Sequence, residues 1–232
     1  MKSLIILISF LYTFADNSIY IWSKTFDKFN NSDLITILEN NHINHVMISS
    51  KNIEKFKNFI KLAHKNNIKV EILIGDNSWI YDYKQYKIDE KLKYFKELDN
   101  FNIHLDVEPH AIKSLKHHRK EYFNMYIKML EYIHHKYPNY NISISIPTFY
   151  KLDFQKINFV KKIYLMAYQY KNLSQLLRRV NRYKFLNNIV VVFNCKEFKS
   201  KKKLLHDISF IQKYGYKDIA LHSLKTCLRI DN

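Results

Sequence analysis

Asn102-Ile103-His104-Leu105-Asp106-Val107-Glu108-Pro109 reads as a short strand with two unlike faces. Alternate side chains of a strand point to opposite sides. Ile103, Leu105 and Val107 therefore share one side, and His104, Asp106 and Glu108 share the other, with His110 next in line. An apolar face for helices and a polar face for an enclosed interior suits a strand of a small parallel barrel. Four polar groups in a row are costly to bury unless they are paired or solvated. Barrel interiors favour Val, Ile and Leu, and barrel active sites sit at the C-terminal mouth. Asp106 and Glu108 accordingly read as a candidate site at that mouth.

The rest of the chain repeats one pattern: a β-branched run, a polar turn, then an amphipathic stretch. The runs fall at 19–23, 46–49, 69–75, 103–108, 142–146, 163–168, 189–193 and 218–224. Between them come a helix capped by Ser32 and one bearing Ile53, Phe56, Phe59, Ile60 and Ala63 on one face. Further helical stretches carry Leu92, Phe95 and Leu98, then 118–137 up to Pro138, then a short segment at 154–157. Leu173, Leu176, Leu177 and Val180 mark the next, and Leu204, Leu205, Ile208 and Ile211 the last, with Gly215 placed for a left-handed C-cap. Eight strands alternating with helices predict an α/β fold, a small (β/α)8 TIM barrel. An open doubly wound sheet is the structural alternative. The chain ends soon after the eighth strand, so the last helix is expected to be short or missing. No hairpin signal or Pro/Gly linker divides the sequence, and 16–232 reads as a single barrel domain.

Residues 1–15 read as a signal peptide. Met1-Lys2 is a positive start, residues 4–14 are apolar, and Thr13-Phe14-Ala15 offers a cleavage site. That run is too short for a hydrocarbon layer of ~30 Å. The expected location is secreted or periplasmic, with no membrane span after cleavage; a buried first strand is the competing reading. Nearly half of the 232 residues (47%) are hydrophobic, enough for a sizeable core, which argues against disorder. The net charge of +17 invites nucleic acid as a partner. Yet the lysines are spread between apolar positions of every predicted helix, as a solvated outer face requires, so no nucleic acid is expected. An anionic glycan or cell-surface polymer is a milder use of the charge. Only two glycines occur, Gly75 and Gly215, which excludes Gly-rich phosphate loops, and no cofactor is expected. Cys195 and Cys227 follow strands that are neighbours in a closed barrel, and their pairing stands open as a hypothesis. The sequence is silent on oligomeric state.

His104-Leu105-Asp106-Val107-Glu108 resembles the end of the strand-four signature of family 18 chitinases and their relatives, Asp-x-x-Asp-x-Asp-x-Glu. Tyr164-Leu165-Met166-Ala167-Tyr168-Gln169 resembles the Met-x-Tyr segment of strand six in the same family. The first two aspartates of the signature are Phe101 and His104 here, and strand eight has no tryptophan. The strand end also resembles that of uncharacterised exported barrels ending in Leu-Asp-Val-Glu-Pro. The resemblance implies a glycoside hydrolase acting on a polysaccharide or amino-sugar glycan of the cell envelope or exterior. Glu108 would be the general acid. Asp106 would orient the substrate's acetamido group as it attacks the anomeric carbon, and Tyr168 would hydrogen-bond that group.

Glu108-Pro109 also resembles the Asn-Glu-Pro strand-four end of the retaining (β/α)8 glycosidase clan, which would make Glu197 a nucleophile. A non-catalytic glycan-binding barrel is a further alternative. Trp22, Trp79 and Tyr150 follow strands one, three and five, where rings could stack on sugars or simply pack. Asp76 could bind a hydroxyl or cap its loop. Gln169, Asn194 and His222, at the ends of strands six, seven and eight, complete the expected substrate-binding set with Glu197. A metal-dependent hydrolase would instead use His104, Asp106, Glu108 and His110, with His222; same-face strand neighbours ~6.5–7 Å apart let one ion take two of them, not four.

Overall fold

The computed structural model describes residues 16–95, 98, 102–115 and 117–230. The expected export segment and Phe101 lie outside the described residues. The strands are β1 (Asn17–Ile21), β2 (His45–Ile48), β3 (Lys69–Ile74), β4 (Asn102–Leu105), β5 (Asn141–Pro147), β6 (Lys162–Met166), β7 (Ile189–Asn194) and β8 (Ile219–His222). Each pairs in parallel with its sequence neighbours, and β1 pairs with β8 through Ser18 and Ala220. That last pairing closes the barrel and removes the open-sheet alternative.

Among the described residues eight α-helices follow: α1 (Ser23–Phe26), α2 (Asn31–Asn40), α3 (Ile53–Lys65), α4 (Tyr86–Lys93), α5 (Arg119–Lys136), α6 (Leu173–Asn181), α7 (Lys201–Lys213) and α8 (Leu224–Cys227). The last, a single turn, is short as expected. Several sequence expectations need correction. The α2 cap is Asn30, whose side chain accepts the Asp33 N–H at 2.7 Å; Ser32 lies inside the helix and donates to Asn30. α4 ends at Lys93, before Phe95 and Leu98. Residues 154–157 form turns rather than a helix, and Leu152, Ile157 and Val160 of this crossover are buried in the outer core there. β4 also ends in the ladder at Leu105, because Glu108 and Pro109 start a 3-10 turn, although the Asp106 N–H still donates to Ile74 O at 2.9 Å.

Apolar burial follows the predicted alternation. Ile103, Leu105 and Val107 join the large core between barrel and helices. Inside the barrel, Tyr20, Met47, Leu73, Tyr164, Val190, Val192 and Ala220 form a separate cluster. Threaded through it is a polar chain that must satisfy itself away from water. His104 Nδ1 lies 2.7 Å from Ser143 Oγ, and Nε2 lies 2.8 Å from Ser145 Oγ. Ser143 donates to Glu71, so it accepts from His104 Nδ1–H, and Nε2 is left as acceptor for Ser145. Burial lowers the His104 pKa and keeps the ring neutral. Tyr20 closes the upper end, its hydroxyl 2.7 Å from Ser145. At the lower end His45 Nε2 stands 3.0 Å from Glu71 Oε1. Asp16 shuts the barrel floor by pairing with Lys69 and Lys162.

Candidate active site

The mouth is built from the ends of β1, β4, β6 and β8. Gly75, just past β3, lets the backbone of Asp106 approach closely: a Cβ there would stand 2.0 Å from Asp106 O. Asp106 sits partly buried at the floor, above Tyr20 and beside Tyr168. Its carboxyl is pushed up to about 7, first by burial and then by the nearby Glu108. Among the described residues no hydrogen bond or cation offsets either effect. Glu108 is higher and more open, with its side chain 39% exposed and its backbone N–H held by Asn77 Oδ1 at 2.6 Å. Asn77 is thus a positioning residue that sequence reading missed.

Tyr168 feels Asp106, Glu108 and Glu197; these charges, behind the larger effect of burial, hold its phenol protonated far above neutrality. Its hydroxyl therefore keeps a proton to donate at neutral pH. Arg179 donates to Tyr168 O at 2.8 Å and fixes the loop that carries it. His222 packs against Tyr20, Trp22 and Tyr168, with ring centroids 5.3, 6.1 and 6.0 Å away. Trp22 Nε1–H donates to His222 Nε2 at 3.4 Å, and burial lowers the His222 pKa. Both observations suit a neutral ring protonated on Nδ1.

Asp106, Glu108, Tyr168, His222 and Trp22 are thus brought together at the mouth. The other expected residues are placed differently. Trp79 is 4% exposed and packs in the outer core. Tyr150 is 2% exposed, enclosed by Tyr122, Phe123 and Tyr126, and meets the mouth only through its hydroxyl, 2.8 Å from His110 Nδ1. Neither offers a ring face to a sugar, because both rings are buried in the outer core. The exposed rings at the mouth are Trp22, at 37%, and Phe149, at 41%, which the sequence reading passed over. Asp76 accepts the Ser78 N–H at 2.8 Å and caps a 3-10 turn, the second role foreseen for it.

Asn194 likewise caps the turn Cys195–Glu197 by accepting from Lys196 N–H at 3.1 Å. Glu197 Oε2 accepts from Gln169 N–H at 2.8 Å, holding that residue at a φ of 54°. Its carboxylate is thereby occupied in shaping the rim. A disulfide joins Cys195 and Cys227 and ties this turn to α8. The metal set does not assemble: both His104 nitrogens are committed to serines, and no group of three or more metal-ligating side chains converges among the described residues.

A cavity of about 520 Å³ opens beside Glu108 and Tyr168 and runs toward α6. His110, Thr148 and Phe149 line one side; Gln175, Arg178, Arg179 and Arg182 line the other. None of the second group was singled out from sequence. The sequence reading named only the apolar positions of this helix, Leu173, Leu176, Leu177 and Val180.

No family model and no curated protein matches the chain. Solved structures do. A chitinase from Bacteroides thetaiotaomicron superposes with a TM-score of 0.68 at 13% identity, over 92% of this chain and 91% of that one. The glycoside hydrolase domain of a PelA variant from Pseudomonas aeruginosa gives 0.60 at 7% identity, over 91% and 96%. An endo-beta-N-acetylglucosaminidase from Cordyceps militaris gives 0.59 at 9% identity, over 91% and 82%. The protein is a small closed (β/α)8 barrel, and these glycoside hydrolases share that fold.

Proposed function

We propose that the protein is an exported glycoside hydrolase that cleaves a polysaccharide containing N-acetylated amino sugars. The observation that carries this reading is the pair of neighbouring carboxyls Asp106 and Glu108 at the mouth, with Asp106 raised to about 7 first by burial and then by Glu108. Two close carboxyls in a low-dielectric site resist double ionisation, so the pair retains a proton near neutrality. In the sugar complex the shared proton sits on Glu108 and leaves Asp106 ionised. Glu108 then gives that proton to the glycosidic oxygen as the bond to the anomeric carbon breaks.

The substrate's own acetamido oxygen bonds to the anomeric carbon as the leaving group departs. Asp106, now ionised, accepts the acetamido N–H and stabilises the positive ring that forms. Tyr168, a permanent donor, holds the acetamido oxygen in line. Water then attacks the anomeric carbon, losing its proton to Glu108 and reopening the ring. The likeness in fold to a chitinase and an endo-beta-N-acetylglucosaminidase supports this reading. Turnover of a chromogenic N-acetylglucosaminide oligomer by wild type, lost in Glu108→Gln while binding persists, is the expected result. Full activity in that variant would sink the assignment.

One observation favours a second reading, a non-catalytic glycan-binding barrel. His104, in place of a signature aspartate, has both ring nitrogens committed below, so nothing there accepts a hydrogen bond from protonated Asp106. Glycan binding with no turnover in wild type would select that reading.

A further inference from the structure

We infer that the cavity beside Glu108 is a subsite for an acidic sugar, one whose carboxylate is received by Arg178 and Arg182. This rests on the glycan reading above and narrows it to anionic polymers. The argument begins with charge. Arg178, Arg179 and Arg182 all line one cavity wall, and Glu108 is the single acidic residue lining it. Among the described residues no carboxylate pairs with any of the three. Arg179 has one nitrogen engaged by Tyr168 O, which anchors it. Arg178, in the last turn of α6, and Arg182, its C-cap, are exposed and spaced i,i+4, so both guanidinium groups can reach the same ligand.

A plainer account would leave these arginines as solvated charge at the C-terminal end of a helix, where the dipole favours cations. That accounts for positive charge at this end. It does not account for three cations lining one cavity, since like charges at this spacing repel. Arginine's planar fork matches a carboxylate through two parallel hydrogen bonds, and lysine's does not. The chain is otherwise rich in lysine, so arginine three times in five positions is a local departure. The cavity also has the polar and aromatic lining of a sugar site in Thr148, Gln175 and Phe149. A ring stacked on Phe149 and reaching α6 would present its substituent to the arginines, adjacent to the bond that Glu108 protonates.

The test measures binding by calorimetry to Glu108→Gln protein, and hydrolysis by wild type. The probes are oligosaccharides alternating N-acetylglucosamine with glucuronic acid, the same backbone with glucose in place of the acid, and a sulfated N-acetylglucosamine oligomer. The acidic oligosaccharide is expected to bind at least tenfold more tightly than the neutral one. That preference should shrink with added salt and fall to near parity in Arg178→Gln/Arg182→Gln. Equal binding of acidic and neutral probes, or a preference that survives the double variant, would overturn the inference. So would a preference for the sulfated probe over the carboxylate. If the double variant fails to melt cooperatively, the Arg178→Gln single variant and the wild-type salt dependence decide. Arginine-dependent binding without cleavage of any probe would defeat the hydrolase reading and keep the subsite. Cleavage of neutral amino-sugar oligomers with no acidic preference would do the reverse.

Discussion

Gly75 and Asp106 lie so close that a Cβ on the glycine would come within 2.0 Å of the Asp106 carbonyl oxygen and 2.6 Å of its carbon. The Asp106 atoms it would meet are all backbone, so no flexible tip can swing away. Gly75→Ala must part the ends of β3 and β4 and stretch the 2.9 Å bond from Asp106 N–H to Ile74 O. Overpacking of this kind costs about 1–3 kcal/mol. The expected outcome is a loss of that size in urea unfolding. Turnover should fall well beyond what the folded fraction explains, because the displaced residue carries the floor carboxyl. Unchanged activity per folded molecule would show that Asp106 need not be held there.

Asp106 itself gives a sharper prediction, because its environment suits the acid and not the anion. Below pH ~3.8 folded and unfolded chains both hold this proton, and the site costs nothing. Between there and about 7 the unfolded chain releases it while the folded chain keeps it, so stability falls as pH rises. Asp106→Asn removes the penalty. The variant should match wild type in melting temperature at pH 4 and exceed it by several degrees at pH 8, while losing hydrolysis. A variant that is less stable at pH 8 would mean that the ionised carboxylate is well satisfied in the mouth.

The interior ion pair has the opposite pH signature. Burial alone would lower His45, but Glu71 and Asp16 overcome it and raise the imidazole to about 9. Burial would likewise raise Glu71, yet His45 and His104 hold it well below the usual carboxylate range. The His45 contribution is complete below ~6.5 and is lost as pH climbs through about 9. The Glu71 contribution is present above ~4.5 and is lost on acidification. Glu71→Gln should therefore be most destabilising between roughly pH 5 and 6.5, by about 3–5 kcal/mol for a broken buried pair. Its deficit should narrow by pH 9.5. A pH-independent deficit would assign the loss to packing rather than charge.

Much of this was readable in the one-dimensional pattern, and the reasons differ by element. The two faces of 102–108 follow from strand geometry, and so does the position of Asp106 and Glu108 on the inner one. The closed barrel followed from counting strands. The interior network was only half visible. Ser143 and Ser145 alternate with Ile142 and Ile144, and Glu71 interrupts an apolar run, but which of them meet His104 depends on register between three strands. Trp79 and Tyr150 misled because an aromatic after a strand is equally suited to core and to rim. The arginine wall was hidden because arginines on a helix read equally well as solvated charge, and only the fold shows Arg178, Arg179 and Arg182 lining one cavity with Glu108.

The Cys195–Cys227 bond closes a separation of 32 residues, which in the chain-entropy picture stabilises the fold by about 3–4 kcal/mol. Cys227→Ser should lower stability by most of that amount and leave Glu108 and Asp106 untouched.

Comparing Glu108→Gln with Glu197→Gln separates the two glycosidase layouts. A covalent route needs a second carboxyl about 5 Å from the acid, free to attack the anomeric carbon. Glu197 instead spends its Oε2 on the Gln169 N–H, at 2.8 Å, and acts on the rim that holds Tyr168. Removing its charge should weaken one hydrogen bond to a backbone N–H, worth about 1.5–3 kcal/mol to the loop. The expected outcome is a modest rise in KM with kcat within a few-fold of wild type, against a loss of several orders of magnitude for Glu108→Gln. Asp106→Asn should fall near Glu108→Gln, since an acetamido nucleophile depends on it. If Glu197→Gln is the inactive variant and azide restores its turnover with inverted anomeric product, the nucleophile is Glu197 and the substrate needs no acetamido group.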